Sequence, residues 1–463
     1  PQVVFYSLFM LGSYGAFRLI RLGRDKDIAV PEKRRTMILL LSLMAIAVLV
    51  GLFLAAIQIA ATWELKGLSP RATGLSYYTM TTYSLPPYNL LTFVFANILG
   101  NPVFGYTGEQ TFGELHAYVG VLSLMLSLWA WSRRKRDPHV AFFTILAGGA
   151  LLLALGRYTP LYHILLHVPG FNFFRAPARW LFLVSFSLSL LAGYGFDALA
   201  GSRSGPESRR FAIFWRTLSW ANLGISFVLL AGLIFAEQAS RALTSVGGGL
   251  LSEEALGRGL LLVQGLTRLP LIQVSEDPST TVSSLNPALL YVLLSNAGFL
   301  LIHLWNRRRI KAGTFQATMI SLIVVDLLLT GGTTINPVRD ASYFERQVES
   351  TTFLRQNSGL HRVFPPVYGD DVENLVDNIP IMYDLYSVRG HASELILERY
   401  KAFIEVLPQR AALLNLAGVK YVLLEEAPAF PGFVRVDAGT GPDIHENTTV
   451  LPRAFVVHRS ELK

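Results

Sequence analysis

Long apolar runs are the feature that most constrains how this chain can fold. Several approach the about 20 residues that a helix needs to cross about 30 Å of hydrocarbon. Backbone polar groups in lipid must be satisfied within their own segment, so runs of this length predict helices rather than barrel strands. Composition agrees, because only 16% of the 463 residues are charged, against about 25% in soluble proteins. The runs predict eight spans, near 2–20, 37–62, 116–132, 139–156, 180–199, 213–236, 287–305 and 314–335.

Basic residues are concentrated in every second connection between these runs. Four short connections hold 19 of the 40 lysines and arginines, and they lie at 18–35, 133–136, 203–216 and 307–311. Such an excess is typical of cytoplasmic loops, so a multi-pass protein of the plasma (inner) membrane is predicted. The other connections, at 63–115, 157–179 and 237–286, and the tail after 335 are then predicted to lie outside. The net charge of +8 reflects this topology, and no nucleic-acid partner is expected.

Two features of the whole sequence limit the chemistry and the length of the protein. The chain has no cysteine, which excludes disulfides, thiolate metal ligands and cysteine nucleophiles. It begins at Pro1 and enters an apolar run without a signal peptide. Since the charge rule places Pro1 outside, we expect an odd number of spans before it. The chain is therefore interpreted as the later part of a longer protein.

The connections predicted to lie outside are too long for simple turns. Segment 63–115 contains four tyrosines around Pro86 and Pro87, which favours an interfacial or re-entrant helix, with an ordinary buried loop as the alternative. Segment 157–179 predicts a short apolar helix lying flat. Segment 237–286 predicts an outer helical excursion with a glycine hinge.

After residue 335 the composition changes and a second domain is expected. Charges become frequent, and the strand-like runs 418–424 and 454–458 alternate with a helical stretch at 392–407. About 125 residues suffice for a small core. The predicted organisation is therefore an α-helical polytopic membrane bundle over 1–335 and a mixed α/β extracytoplasmic domain over 336–463.

The stretch "FNFFRAPARW" (171–180) places Arg175 and Arg179 where the topology rule gives no reason for cations. Pro177 allows a turn into the next span and biases Ala176 to an extended backbone. Guanidinium groups at the headgroup level could bind a phosphate with two parallel hydrogen bonds. The alternative is that both arginines bind carbonyl groups of the flat helix or extend to the surface.

Three ionisable residues precede the third span on the same predicted side. Glu109, Glu114 and His116 could supply a general base or hold a divalent cation. The alternative is a solvated loop with a helix-capping glutamate. No thiolate site or complete metal-ligand motif is recognised, so no metal is assigned.

Histidine and aspartate residues provide the remaining candidates. His163 and His167 stand four residues apart, a spacing compatible with a metal, but no third ligand is evident. Asp326 lies deep in the last span, where a carboxylate is a functional candidate by default, although a structural bond to a neighbouring helix is the favoured interpretation. The acidic run 369–377 lacks calcium-loop spacing and is interpreted as a surface loop.

Taken together, several stretches resemble one family. The run 171–199 resembles the arginine-proline-arginine signature of YfhO-type bacterial membrane proteins. Residues 324–337 are similar to that family's last span, and 378–404 to its tyrosine and arginine-glycine segment. Residues 413–423 and 446–457 are similar to its closing domain.

The resemblance implies a glycosyltransferase with a GT-C-like helix bundle. Such an enzyme would take a sugar from a polyprenyl-phosphate donor and transfer it to a cell-envelope glycopolymer outside the membrane. Arg175 and Arg179 would then bind the lipid phosphate. The family's catalytic acid or base lies in the first outer loop, which is expected upstream of Pro1, so Glu109 and Glu114 are auxiliary candidates. A non-catalytic accessory subunit, bound to other membrane subunits, is the second hypothesis, and a transporter is the third.

Overall fold

The computed structural model describes most of the chain. The described residues are 2–101, 105–109, 111–168, 171–201, 207–235, 272–274, 283–334, 349–366, 375, 378–390, 396–424, 430–436, 438–440 and 442–455. Two compact units are formed, one by residues 1–45 with 75–338 and the other by residues 46–74 with 339–463. The described part is mostly helical, with a small mixed sheet in the second unit.

The first unit is built from helices. Its long helices are α1 (Gln2–Arg24), α2 (Val30–Leu54, which continues into the second unit), α6 (Val121–Ser132), α7 (Pro138–Ala154), α9 (Leu181–Gly201), α10 (Glu207–Ile234), α11 (Pro287–Asn306) and α12 (Ala312–Thr334). After the last part of α2, the second unit continues with α3 (Ala56–Gly67). Within the described ranges, six helical segments are long and apolar enough to cross a membrane. They are Gln2–Arg24, Val30–Leu54, Pro177–Ala200, Ala212–Ile234, Pro287–Asn306 and Ala312–Gly331.

These six segments correspond to six of the eight predicted spans and are compatible with a multi-pass membrane protein. The other two predictions correspond to shorter apolar helices, since α6 has 12 residues and α7 has 17. The prediction that all eight cross a membrane, and the predicted sidedness, stay predictions.

Helix α9 packs closely against both α6 and α7. Gly195 of α9 makes the approach to α6 possible, because a Cβ at this position would overlap the carbonyl oxygen of Leu126. Ser127 of α6 also donates a hydrogen bond to the carbonyl of Leu188 of α9 at 2.8 Å. Small residues at such contacts are typical of helices packed in membranes, where close van der Waals contact drives association.

A polar network joins α10 and α11 inside the apolar unit. The Tyr291 hydroxyl donates to Asn222 Oδ1 at 2.9 Å, and Asn222 Nδ2 donates to Asn296 Oδ1 at 3.1 Å. Asn296 in turn donates to Ser226 Oγ at 2.9 Å. Each amide therefore finds partners on the facing helix, which fixes the register of this helix pair.

The helix ends that border the four basic connections meet at one end of the first unit. Arg21 Nη1 of α1 lies 3.1 Å from His139 Nε2 of α7. Aromatic rings connect the other borders, with Trp129 beside Trp215 at 6.3 Å and Phe196 stacked on Phe315 at 6.0 Å. The alternation of basic connections in the sequence thus matches a common end in the structure.

The described part of segment 63–115 forms several short elements, and the predicted interfacial or re-entrant position of a helix in it stays a prediction. It contains α4 (Tyr77–Met80), a 3-10 helix at Pro87–Phe93, the hairpin β1 (Gly100–Asn101) and β2 (Gly105–Tyr106), and α5 (Phe112–Leu115). Met80 and Leu85 are fully buried, in agreement with the alternative of a buried loop. Pro87 is the first residue of the 3-10 helix, and the proline pair prevents a helix from continuing into it from the preceding residues, since Pro lacks the amide that would bond to the turn before.

The other two outer connections are described to different extents. Segment 157–179 contains the short helix α8 (Leu161–Leu165) between 3-10 turns. Most of segment 237–286 lies outside the described residues, including the predicted glycine hinge. Its described part is the antiparallel hairpin β3 (Ile272–Val274) and β4 (Ser283–Leu285).

The second unit contains a five-stranded mixed sheet. Its strands are β5 (Arg362–Phe364), β6 (Tyr386–Ser387), β7 (Val419–Leu423), β8 (Phe433–Val436) and β9 (Ile444–Asn447). Their order in the sheet is β6-β5-β7-β9-β8. Strand β5 pairs in parallel with β6 and β7, whereas β9 pairs antiparallel with β7 and β8. The helices are α13 (Glu349–Asn357), α14 (Ile379–Met382), α15 (Glu398–Val406) and α16 (Ala411–Leu416).

The sheet confirms the predicted strand at 418–424, because β7 occupies its middle with three buried residues in succession. The predicted helix at 392–407 is confirmed over Glu398–Val406 as α15; residues 396–397 are not helical, and residues 391–395 lie outside the described part. Most of the predicted strand at 454–458 is also outside it. The boundary between two domains at residue 335 stays a prediction.

Candidate functional site

The segment before α9 makes a sharp turn between its two arginines. Ala176 has φ 61° and ψ 73°, which is the left-handed region, so the predicted extended backbone at this residue is wrong. The amide of Ala178 donates to the carbonyl of Tyr83 at 3.0 Å, and the amide of Arg179 donates to the carbonyl of Ala176 at 3.0 Å. These bonds impose a backbone that Pro177 disfavours locally. Strained residues held by their surroundings are concentrated at functional sites.

Arg179 contacts two side chains, those of Glu114 and Gln2. Its Nε donates to Glu114 Oε2 at 2.8 Å and its Nη2 donates to Glu114 Oε1 at 2.5 Å, which is a bidentate ion pair. Its Nη1 donates to Gln2 Oε1 at 2.7 Å. The two charged side chains are partly exposed, at 34% and 24%. The alternative prediction for Arg179 is that it binds carbonyl groups of the flat helix or extends to the surface. Its observed hydrogen bonds go to the side chains of Glu114 and Gln2 instead.

Arg175 lies on the other side of the same turn. Its guanidinium carbon is 5.5 Å from the centre of the Tyr83 ring, within range of a cation–π interaction. Its backbone carbonyl accepts a hydrogen bond from Gln2 Nε2 at 2.6 Å. Gln2 therefore contacts both arginines: it donates to the backbone carbonyl of Arg175 and accepts from the guanidinium of Arg179.

A third arginine, Arg157, lies beside the loop that contains Tyr83. It was not identified as a candidate from the sequence. Its Nη2 donates to the carbonyl of Thr81 at 3.1 Å, and its amide donates to Ser84 Oγ at 3.0 Å. The neighbouring Gly156 has φ 52°, and a Cβ there would overlap the Ser84 hydroxyl. The sequence did hold a signal, because Arg157 also occupies a connection that the charge rule expects to be poor in cations.

The three arginines thus surround one short loop, residues 81–85, which we call the tyrosine loop. Tyr83 at its centre has φ 56°, uncommon for a residue with a side chain. The amide of Leu85 donates to the carbonyl of Ala154 at the end of α7. The tyrosine loop is therefore held by the ends of α7 and α9, and three cations are brought together at the end of the unit that also holds the start of α1.

Glu109 is placed beside Tyr88 rather than beside Arg179. The two side chains are hydrogen-bonded, and burial together with the Glu109 carboxylate raises the pKa of Tyr88 to about 12. The two glutamates grouped in the sequence therefore have different partners, Tyr88 for Glu109 and Arg179 for Glu114.

His116 lies in apolar surroundings just before α6 begins at Val121. Its ring stacks on Phe112 at 4.6 Å, and its Nδ1 is buried without a hydrogen-bond partner. Burial lowers the pKa of His116 to about 4. The imidazole is therefore neutral at pH 7, and a salt bridge with a carboxylate is not its role.

His163 lies on α8, whereas His167 lies in the turn after it, and the two make separate contacts. The His163 ring stacks on Tyr77 at 4.2 Å, and His167 Nδ1 lies 3.0 Å from the carbonyl of His163. Among the residues that the structure describes, no group of three histidine, aspartate or glutamate side chains could hold a metal ion.

Asp326 is fully buried in α12 and bonded to the segment that starts α6. Its Oδ1 accepts from the Tyr118 hydroxyl at 2.7 Å, and its Oδ2 accepts from the amide of Val121 at 2.9 Å. The carboxylate thus occupies the N-terminus of a neighbouring helix, where a negative charge is favourable. This is the structural bond that the sequence interpretation favoured. The acidic run 369–377, apart from Leu375, lies outside the described residues.

The described helices define a mostly helical protein that is compatible with a multi-pass membrane protein, with three arginines gathered at one end of its first unit. Comparisons with protein-family models, with curated proteins and with solved structures found no match for this chain.

Proposed function

We propose that this chain is part of an integral membrane glycosyltransferase of the GT-C type that uses a polyprenyl-phosphate-linked sugar. The observation that carries the proposal is the grouping of three arginines at the tyrosine loop. Arg157 donates to the Thr81 carbonyl, Arg175 lies at the Tyr83 ring, and Arg179 interacts electrostatically with Tyr83. The resemblance of residues 171–199 to YfhO-type proteins supports it. The acceptor would be a cell-envelope glycopolymer on the outer side of the membrane.

The chemistry of such a transfer requires cations at this level. When the sugar leaves its carrier, negative charge develops on the lipid phosphate, and preorganised donors stabilise it more than mobile water does. Guanidinium groups bind phosphate oxygens in a fixed planar geometry. Three of them beside one loop could bind the leaving phosphate from several directions.

Glu114 fits a positioning role in this proposal. Its bidentate contact fixes the plane of the Arg179 guanidinium, and Gln2 fixes the third nitrogen. A guanidinium held in this way loses less side-chain entropy when a phosphate arrives. The general base would be supplied by another part of the protein, as the resemblance implies, with Glu109 as an auxiliary candidate and no metal assigned.

The test is sugar transfer from polyprenyl-phosphate-sugar by the full-length protein in vesicles. Arg175→Ala and Arg179→Ala should each lower the rate by about ten-fold or more, because one charge-assisted contact contributes about 1.4 kcal/mol or more. Arg157→Ala should lower it as well. Arg307→Ala, at the basic end, is the matched control and should leave the rate unchanged.

A comparison of Glu114→Gln with Arg179→Ala separates an effect on phosphate binding from an effect on folding. Glu114→Gln keeps a hydrogen-bonding side chain beside Arg179 but removes the competing charge, so it should reduce the rate less than Arg179→Ala. Equal rates for the wild type and both arginine variants would remove the arginines from the mechanism.

A non-catalytic accessory subunit is the second candidate, and the Arg179–Glu114 ion pair favours it. In that case the two charges serve each other and stabilise the fold. Glu114→Gln and Arg179→Ala would then destabilise the protein to a similar degree, and the chain would copurify with other membrane subunits in a fixed ratio without transferring sugar.

A further inference from the structure

A large cavity lies between α1, the first half of α2 and α7, away from the tyrosine loop. Its volume is about 950 Å³, at the upper end of the range of about 300 to 1,000 Å³ that is usual for small-molecule sites. Its walls are mainly apolar and include Phe9, Phe17, Leu40, Phe142, Ile145 and Leu153.

Cations line only one end of this cavity. Arg18, Arg21 and Arg24 of α1 lie there and are exposed. Arg21 is oriented by the contact with His139 and lies over the Phe17 ring at 6.0 Å. Asp25 also lines the cavity, but its Oδ1 already accepts a hydrogen bond from the amide of Asp27 at 3.0 Å.

The order of the lining residues along α1 fits one kind of amphiphile. Phe9, Phe17, Arg21 and Arg24 recur along one side of the helix, apolar first and basic at the end. Arg21 is 12 residues beyond Phe9, which is about 18 Å along a helix. That length is close to one leaflet, about half of the 30 Å hydrocarbon thickness.

We propose that this cavity binds an anionic phospholipid of the bilayer, with its phosphate at Arg18, Arg21 and Arg24 and its acyl chains along Phe9, Phe17 and Ile145. Charge complementarity selects the anionic headgroup, because basic pockets between membrane helices bind such lipids. The site is separate from the phosphate site of the proposed function, since it lies towards the opposite end of α1.

Two glycines of α7 offer a matched pair for the test. Gly149 lines the cavity, whereas its neighbour Gly148 does not, and a Cβ at either position meets no atom within 4 Å. Gly149→Phe should therefore fill the apolar part of the cavity. Gly148→Phe adds the same side chain on an exposed surface.

The experiment measures how much lipid stays bound to the purified full chain in mixed micelles of phosphatidylglycerol and phosphatidylcholine, by mass spectrometry. The wild type should retain phosphatidylglycerol preferentially. Combined Arg18→Gln, Arg21→Gln and Arg24→Gln should reduce its retention about ten-fold or more. Combined Arg307→Gln, Arg308→Gln and Arg309→Gln removes the same charge elsewhere at the basic end and should leave retention unchanged.

Retention should also fall in Gly149→Phe and persist in Gly148→Phe, with both variants folded as judged by their circular dichroism. Equal losses in the two arginine triplets would show diffuse attraction to the basic end and would overturn the proposal. Preferential retention that survives Gly149→Phe would overturn it as well.

Discussion

At the residue scale, His116 links burial to the pH dependence of stability. Its pKa in the folded chain is about 4, below the ordinary 6.5, so the folded state favours the neutral ring. Its contribution is complete above pH 6.5 and is lost as the pH falls towards 4, because the unfolded chain then binds a proton that the folded chain does not.

Lowering the pH from 7 to 5 should therefore reduce the free energy of unfolding by about 1 to 2 kcal/mol through this residue. His116→Gln should remove that part of the pH dependence. The measurement is chemical unfolding in micelles at both pH values, with His163→Gln, an exposed histidine, as the control. An unchanged pH profile in His116→Gln would contradict the assignment.

Arg175 and Arg179 could be identified from the sequence because they break a topological rule. Their partners could not be predicted, since Glu114 is 65 residues from Arg179 and Gln2 is 177 residues away. The ion pair exists only because α5 and the turn before α9 are brought together by packing. Local spacing had instead grouped Glu114 with Glu109.

At the element scale, Asp326 joins α12 to the start of α6. Asp326→Ala would leave the Tyr118 hydroxyl without its acceptor, and the Val121 amide would keep only its longer bond to the Tyr118 oxygen, at 3.2 Å. The expected loss of unfolding free energy is about 2 to 4 kcal/mol. Tyr118→Phe should cost less, about 1 kcal/mol, since one hydrogen bond remains.

Unfolding of the purified chain in micelles checks these values. Ser187→Ala is a suitable control, because its buried hydroxyl has no hydrogen-bond partner in the structure and its removal should change stability little. An Asp326→Ala variant as stable as the wild type would show that the carboxylate does not hold the two helices together.

The contact between α6 and α9 depends on Gly195. Gly195→Ala would place a methyl group against the Leu126 backbone, and the forced separation should destabilise the protein by about 1 to 3 kcal/mol. Gly193→Ala, two residues earlier, meets no atom within 4 Å and should be neutral or stabilising by about 0.5 to 1 kcal/mol. Thermal unfolding of both variants distinguishes the positions, and equal stabilities would argue against close packing at Gly195.

At the scale of the whole molecule, the arrangement of the basic connections predicts how the protein sits in a membrane. The chain has no natural cysteine, so single cysteines can be introduced directly. Lys135→Cys and Arg309→Cys should react with an impermeant maleimide only from the cytoplasmic side. Tyr78→Cys and Tyr158→Cys, both at exposed positions, should react only from outside.

Labelling of all four positions from one side would contradict the predicted topology. It would also remove the basis for an extracytoplasmic phosphate site. The tyrosine loop and Arg157 lie between Tyr78 and Tyr158 in the sequence, and Arg157 is hydrogen-bonded to the tyrosine loop.

The sequence by itself determined that long helices dominate this chain, which connections share a basic character, and that a strand lies at 418–424. These properties follow from local hydrophobicity and charge, which each segment carries wherever it packs. Tertiary structure decided the rest. It decided the left-handed conformation of Ala176, the Arg179–Glu114 ion pair, the position of Arg157 beside the tyrosine loop and the bond from Asp326 to α6. Each of these depends on contacts between residues that are distant in sequence. Such contacts depend on which helices pack together, and no local pattern encodes that choice.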